Sequence, residues 1–269
     1  MVLAVRDSVR GAAAVSDLSA RTGNRDIDVV DIDLASLESV REAAAMLTAG
    51  DGPPVRALIN NAGLQLLSSE HSSVDGFELT FAVNHLGPFL LTRLLLDSMM
   101  PGARVLIVSS ATHYGDLRHG MGMPGPRWQE PRMLGRPRPG AGRVAYVTSK
   151  LANLYFAYEL ARRHRPSELS ANGFDPGLMP GTALARDAGA VSTLLWQRVL
   201  PSLRHVVPGM SDAATSGAAL ARLAVDPQLA EVSGRYFQPR GEARSSEESY
   251  DGARAQELWE ASEEMVGLV

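Results

Sequence analysis

Tyr146 and Lys150 stand four residues apart in AYVTSKLAN, a stretch with helical spacing, so their side chains share one helix face. A phenol of ordinary pKa near 10 is a poor acid–base catalyst at neutral pH. An ammonium beside it favours the phenolate and lowers that pKa. Lysine, a compact point charge, can also reach a sugar hydroxyl next to the tyrosine, a task the planar arginine fork performs less well. Lys150 is the one lysine among 26 basic residues. An Arg-biased chain can hold one lysine by accident, and chance puts a tyrosine four before it about 2% of the time, so the pair alone is a weak motif. Ser110 adds context. It ends the run VLIVSS, where a hydroxyl can bind a substrate carbonyl and the charge that develops on it, although a serine at a strand end is also common. Asn84, in FAVNHLG, is either part of the same site or a helix-interior asparagine bonded to backbone.

The elements that must position these residues alternate. Strands are expected at Val2–Val5, Ile27–Ile32, Val55–Ile59, Arg104–Val108, Leu169–Phe174 and near Tyr236. Helices are expected at 8–21, 36–48, 76–99 (bent near Gly87-Pro88), 144–163, 188–200, 211–224 and 252–265. This alternation predicts an α/β fold, a parallel sheet with helices on both faces. Ligands of such sheets sit beyond the carboxyl ends of the strands. That places Arg6, Asp33, Asn60, Ser110 and Asp175 among the residues to watch. No domain boundary interrupts 1–269. Residues 115–143, rich in Gly, Pro and Arg, read as a long surface loop, either a substrate lid or a solvated segment.

Composition removes several classes. The chain has 269 residues, a net charge of −4 and 45% hydrophobic residues. It can bury a sizeable core and shows no basic footprint for nucleic acid. Without cysteine it has no disulfide or thiolate metal site, and its six histidines lack metal spacing. No continuous apolar run reaches the roughly 18 residues of a membrane span. A cytoplasmic location is therefore expected.

Asn60-Asn61-Ala62-Gly63, Asn84 in VNHLG, Ser110 in VSS, Tyr146-x-x-Ser149-Lys150 and Pro176-Gly177 occur in an order that resembles the short-chain dehydrogenase/reductase family. The likeness runs over most of the chain and is strongest from 55 to 182. NHLGPFLLT and YVTSKLAN look like the branch of retinol-dehydrogenase-like and protochlorophyllide-reductase-like enzymes. The resemblance implies a Rossmann-like doubly wound sheet and hydride transfer between a nicotinamide cofactor and a carbonyl or alcohol. It implies that Tyr146 exchanges the proton and that Lys150 lowers the Tyr146 pKa and binds the nicotinamide ribose. Ser110 would hold the substrate oxygen, and Asn84 a water leading from Lys150 to solvent. For the cofactor it implies contacts from Asp33 to adenine, from Asn60 with Ala62 and Gly63 to the adjoining ribose region, and from Pro176-Gly177 to nicotinamide. Thr182 lies further past Pro-Gly than the family's usual threonine.

Arg6 directly follows the first strand, where an arginine accommodates a 2′-phosphate, so NADP(H) is the expected cofactor despite Asp7 one residue on. The family's TGxxxGxG turn is absent from the sequence. The GxGxxG at Gly120, Gly122 and Gly125 is no substitute, because Pro124 and Pro126 break it and no helix follows. Met1 falls where the family has its second strand. The fold is therefore expected to lack the first strand and Gly-rich loop, with a natural start roughly 20–35 residues upstream, about one βα unit. The strands at 2–5 and 55–59 then either meet directly or leave a gap. The expected substrate is a small apolar carbonyl or alcohol, from Leu184, Leu194, Leu195 and Trp196, which core packing explains equally well. A homo-oligomer is compatible with all of this. The alternatives are an inactive, truncated family member and a reductase of a conjugated C=C bond.

Overall fold

A computed structural model describes residues 1–49, 53–116, 120, 122–179 and 210–269. The expected helix at 188–200 lies outside the described residues, as do Arg118, Thr182, Leu184, Leu194, Leu195 and Trp196.

The chain runs β1 (Val2–Val5), α1 (Ser8–Thr22), β2 (Asp28–Asp31), α2 (Leu37–Thr48), β3 (Val55–Asn60), α3 (Leu79–Ser98) and β4 (Met99–Val108). It continues through a one-turn helix α4 (Pro131–Leu134), α5 (Gly142–Arg163), β5 (Leu169–Phe174), α6 (Ala213–Val225), β6 (Tyr236–Gln238), β7 (Gly241–Ala243) and α7 (Gly252–Met265). Local chemistry explains the helix ends. The Asp7 carboxylate accepts the Arg10 N–H at 3.0 Å, and Gly23 closes α1 at φ 73.

The strands form two sheets. β1 and β2 pair in parallel, and β3-β4-β5-β6-β7 form a second sheet, parallel except for β7, which turns back antiparallel on β6. Of the two arrangements open to β1 and β3, the structure takes the gap: they do not pair with each other.

The five-stranded sheet is covered on both faces, as its continuous apolar runs require. Side chains alternate along β4, so Val105 and Ile107 join Leu151, Tyr155, Phe89 and Trp259 on one face. Leu106 and Val108 join Phe174, Phe237 and Leu223 on the other. α5 crosses the first face with 15 of its 22 residues buried, which is why no single apolar stripe marks it.

α3 runs without a break past Gly87-Pro88. Its 82–86 stretch is a π-turn, and the α-helical turns resume at Gly87 with Pro88 in their first turn, where a missing N–H costs little. Gly87 is required for a different reason: a Cβ there would stand 2.6 Å from the Leu34 carbonyl oxygen. By length and composition α3 could cross a membrane, but it is a core helix, with 72% of its most apolar window buried.

The described part of 115–143 is not a loose surface loop. Trp128 packs edge-on against Tyr155 at 4.7 Å, the Arg127 N–H donates to Thr148, and Pro131 and Leu134 of α4 are buried. Single-sequence composition shows the Gly and Pro content but not the core those aromatics find.

Candidate active site

The site forms where β4 and β5 end against the middle of α5. Ser109 is buried and its hydroxyl donates to the Lys150 carbonyl at 2.7 Å, fixing α5 to the tip of β4. Lys150 Nζ donates to the Val108 carbonyl at 3.2 Å, and Asn153 Nδ2 donates to the same oxygen at 3.0 Å. One strand-end carbonyl thus sets the height of the lysine. Ser110 caps the short helical turn 111–114, its hydroxyl accepting the Thr112 N–H at 3.3 Å.

Asn84 sits in the π-turn of α3, a distortion frequent at functional sites. Its Oδ1 accepts the Leu64 N–H at 2.7 Å, and its Nδ2 donates to the Leu64 carbonyl and to Ser149 Oγ, each at 2.9 Å. Asn84 therefore bonds backbone, but that of the loop after β3 rather than of its own helix. Ser149 Oγ passes its hydrogen to the Tyr146 carbonyl at 2.7 Å. Gly63 completes the group. A Cβ at this position would stand 3.3 Å from Lys150 Nζ and 3.7 Å from Asn84 Oδ1.

The structure thus brings Gly63, Asn84, Ser110, Tyr146 and Lys150 together. Pro176 and Gly177 follow β5, with Gly177 at φ 76 and its N–H donated to Asp175 Oδ1 at 3.0 Å. Ala62 is exposed in the loop beside Gly63, while the Asn60 amide turns inward to donate to Thr92 Oγ1 at 2.9 Å. Arg6 and Asp33 lie just past the ends of β1 and β2 of the two-stranded sheet. Arg6 is exposed just past β1, and the Asp33 carboxylate accepts the Ala35 N–H.

The electrostatics differ from the expectation on one point. Tyr146 is pushed up to about 12, not down. Burial is the main cause, the Ser110 hydroxyl pulls the other way, and the Asp175 charge adds to the rise. Burial also lowers Lys150 to about 8, with Asp175 opposing. The ammonium lies 5.6 Å from the Tyr146 ring centroid, over the ring, and its hydrogen bond goes to Val108. Helical spacing shows that the two side chains are neighbours. It cannot show that desolvation outweighs their attraction.

Ser109, Asn153 and Asp175 were not assigned roles from the sequence. Asn153 had a signal, since it follows Lys150 by three on the same helix face. His113, a candidate for substrate contact, is fully buried. Its Nδ1 lies 2.6 Å from the Ser110 carbonyl oxygen, and its Nε2 accepts the Ser246 N–H at 3.1 Å.

With this geometry in place, comparison with known proteins is decisive. The chain is 34% identical over its whole length to human (Homo sapiens) retinol dehydrogenase 13, covering 77% of that protein. It belongs to the short-chain dehydrogenase/reductase family. This family member is also 32% identical, again over its whole length, to the chloroplastic protochlorophyllide reductase A of Oryza sativa subsp. japonica, covering 74% of it. The short chain dehydrogenase profile matches residues 1–120, and the AcuH dehydrogenase domain profile matches 183–269. An uncharacterized protein from Mycobacterium Paratuberculosis has the same fold, with a TM-score of 0.65 at 29% identity over 99% of this chain and 83% of that one. As a short-chain dehydrogenase/reductase the chain is a hydride-transferring oxidoreductase of the retinol-dehydrogenase-like branch, with a Rossmann-like α/β fold, a nicotinamide cofactor and a small-molecule substrate.

The residues present fit the nicotinamide end of that cofactor. An ammonium, two hydroxyls and a side-chain-free cradle at Gly63 converge at the strand ends. The pyrophosphate end is different. Among the described residues no Gly-rich turn opens a helix at a strand end, and α1 begins behind the Asp7 carboxylate, the wrong sign for a phosphate.

Proposed function

We propose that this short-chain dehydrogenase/reductase interconverts an apolar carbonyl and its alcohol with NADP(H), and that Tyr146 exchanges the proton. The observation that carries the reading is the meeting of Ser110, Tyr146 and Lys150 at the end of β4, with the Lys150 ammonium over the Tyr146 ring, 5.6 Å from its centroid, and hydrogen-bonded to the Val108 carbonyl. The bound cofactor supplies or accepts the hydride.

The protein's own groups do the rest. Ser110 and Tyr146 hold the substrate oxygen between two hydroxyls. A phenol held near 12 is fully protonated at neutral pH, so Tyr146 is poised as a proton donor, which favours reduction. As the carbonyl becomes an alcohol, the Tyr146 proton moves to the substrate oxygen and leaves a phenolate. Lys150, charged below about 8, stabilises that phenolate from over the ring. Asn84 retains one acceptor position on Oδ1 beside Lys150, where a water can stand to resupply the proton.

Arg6, exposed past β1, supports NADP(H) over NAD(H) by offering a cation to a 2′-phosphate. Kinetics with NADPH and NADH side by side read that preference. The name of the human relative, a retinol dehydrogenase, supports an apolar substrate. A cytoplasmic location remains part of the proposal, and cell fractionation would check it. The protochlorophyllide reductase relative keeps reduction of a conjugated C=C bond as a second reading, distinguished by whether the product is the alcohol or the saturated carbonyl.

The deciding experiment is Tyr146→Phe. Turnover of an apolar ketone or aldehyde with NADPH should fall by about 10²–10⁴, with the unfolding midpoint nearly unchanged. A Phe variant of full activity would remove Tyr146 from the mechanism.

A further inference from the structure

His113 lies in the short helical turn 111–114 that Ser110 caps, and no part of it reaches solvent. An imidazole buried this completely needs partners for its ring nitrogens. Backbone supplies both. Nδ1 lies 2.6 Å from the Ser110 carbonyl oxygen, and Nε2 lies 3.1 Å from the Ser246 nitrogen, whose hydrogen points at it. A backbone N–H donates and a carbonyl oxygen accepts. Nε2 therefore offers its lone pair to Ser246, which places the ring hydrogen on Nδ1, where it is donated to Ser110. The ring is neutral, and the backbone sets its tautomer.

The partners of the ring are themselves fixed. The segment after β7 that holds Ser246 is tied to α5: the Tyr155 hydroxyl donates to the Glu248 carbonyl at 2.9 Å, and Tyr158 Oη stands 2.6 Å from Ser245 Oγ. Tyr236 meets the imidazole edge-on with 5.2 Å between centroids, and Tyr114 lies against it at 4.3 Å. The Ser110 carbonyl also receives a second hydrogen from the same residue, the His113 backbone N–H at 3.1 Å. Both lone pairs of that oxygen are then occupied, so the Ser110–Ala111 peptide plane cannot turn without breaking one of the two bonds. The Ser110 Cα belongs to that plane. Fixing the plane fixes the point from which the Ser110 hydroxyl is presented.

We propose that His113 is a positioning residue for Ser110: its Nδ1–H, held in that tautomer by the Ser246 N–H, locks the Ser110 carbonyl and with it the hydroxyl that receives the substrate oxygen. It acts through Ser110, not on substrate. The catalytic meaning of this rests on the function proposed above, but the tautomer and its hydrogen bond do not.

Two substitutions separate the hydrogen bond from the bulk of the ring. Asparagine carries its amide nitrogen near the place of Nδ1, and glutamine near the place of Nε2. Both lose the contacts with Tyr114 and Tyr236, so the difference between them reads the bond to Ser110. Turnover of decanal with NADPH should stay within about twofold in His113→Asn and fall roughly tenfold in His113→Gln, with KM little changed in either. Equal losses in the two, or a larger loss in His113→Asn, mean a purely structural role and overturn the proposal. So does an unimpaired His113→Gln in a protein that Ser110→Ala inactivates. A second measurement needs neither substrate nor substitution, and it decides alone if a variant does not fold. With ¹⁵N-labelled histidine, the His113 ring, assigned by its proximity to the Tyr114 and Tyr236 rings, should carry its hydrogen on Nδ1, slow to exchange with solvent. A hydrogen on Nε2, or fast exchange at Nδ1, overturns the proposal whatever the turnover. The Nδ1 form in a protein without turnover would keep the tie to Ser110 and sink the proposed function.

Discussion

The two sheets of this molecule are built to different standards. β5 is buried at every position, and the last six residues of β4 are buried as well. In β1 and β2 no residue is buried, and α1 buries only Gly11. Gly11 is needed because a Cβ would stand 2.8 Å from Val5 Cγ2, so α1 lies directly on its sheet. What holds this unit to the rest is α2, whose Val40, Ala43 and Ala44 enter the main core with Ile32. Tyr146, Lys150 and Ser110 belong to the tightly packed sheet, where sub-ångström placement matters for proton transfer. Arg6 and Asp33 lie just past the strand ends of the lightly packed one. Under the proposed function, chemistry and cofactor selection fall to regions that are packed to different degrees.

Acid should expose the contrast most strongly. His85, in the π-turn of α3, is fully buried, and burial lowers it to about 3. Its folded pKa is below the unfolded value near 6.5, so the unfolded chain binds the extra proton between these limits. Stability is then fully present above 6.5 and lost as pH falls toward 3, by a total on the order of 5 kcal/mol. Residues 1–49 contain no histidine. Urea midpoints at pH 7 and pH 4 should differ markedly for the unaltered chain and less for His85→Gln. An equal loss in both would place the acid lability elsewhere.

Truncation separates the sheets next. Leu154 is fully buried on α5, and Leu154→Ala should cost about 2–5 kcal/mol. Val9 on α1 is 78% exposed, and Val9→Ala should stay within about 0.5 kcal/mol. Comparable costs at both positions, read by urea unfolding, would mean that the β1–β2 unit is packed as tightly as the other. The smallest effect belongs to cofactor choice. Arg6→Glu should reduce the preference for NADPH over NADH by roughly tenfold, about 1.4 kcal/mol, with the turnover rate on bound cofactor little changed. A loss of turnover with both cofactors would tie Arg6 to the packed site after all.

Much of this was readable from residue order. Strands with continuous apolar runs, such as Val105–Val108, announce themselves, and so do helices bounded by Asp7 and Gly23. The grouping of Asn84, Ser110, Tyr146 and Lys150 follows from strand ends and helical spacing. What escaped depended on contacts distant in sequence. β7 is three residues long and pairs only because β6 offers an edge. The π-turn at 82–86 leaves no periodic mark. Trp128 looks like loop composition until Tyr155 is brought beneath it. The direction of the Tyr146 shift escapes the sequence for the same reason: attraction between neighbours on a helix is visible there, whereas the dryness of their surroundings is a property of the whole fold.

Ser110 and Gly142 fix the two ends of the segment between them. Ser110 is held by the end of β4, and Gly142 lies so close to the backbone of 66–68 that a Cβ would collide with the Leu66 carbonyl oxygen. The hydroxyls of Ser110 and Tyr146 are therefore spaced by the frame and not by the length of chain that joins them. A change in the length of that segment would therefore leave the spacing of the two hydroxyls in place, while disturbing the contacts that Trp128, Pro131 and Leu134 make with the rest of the protein.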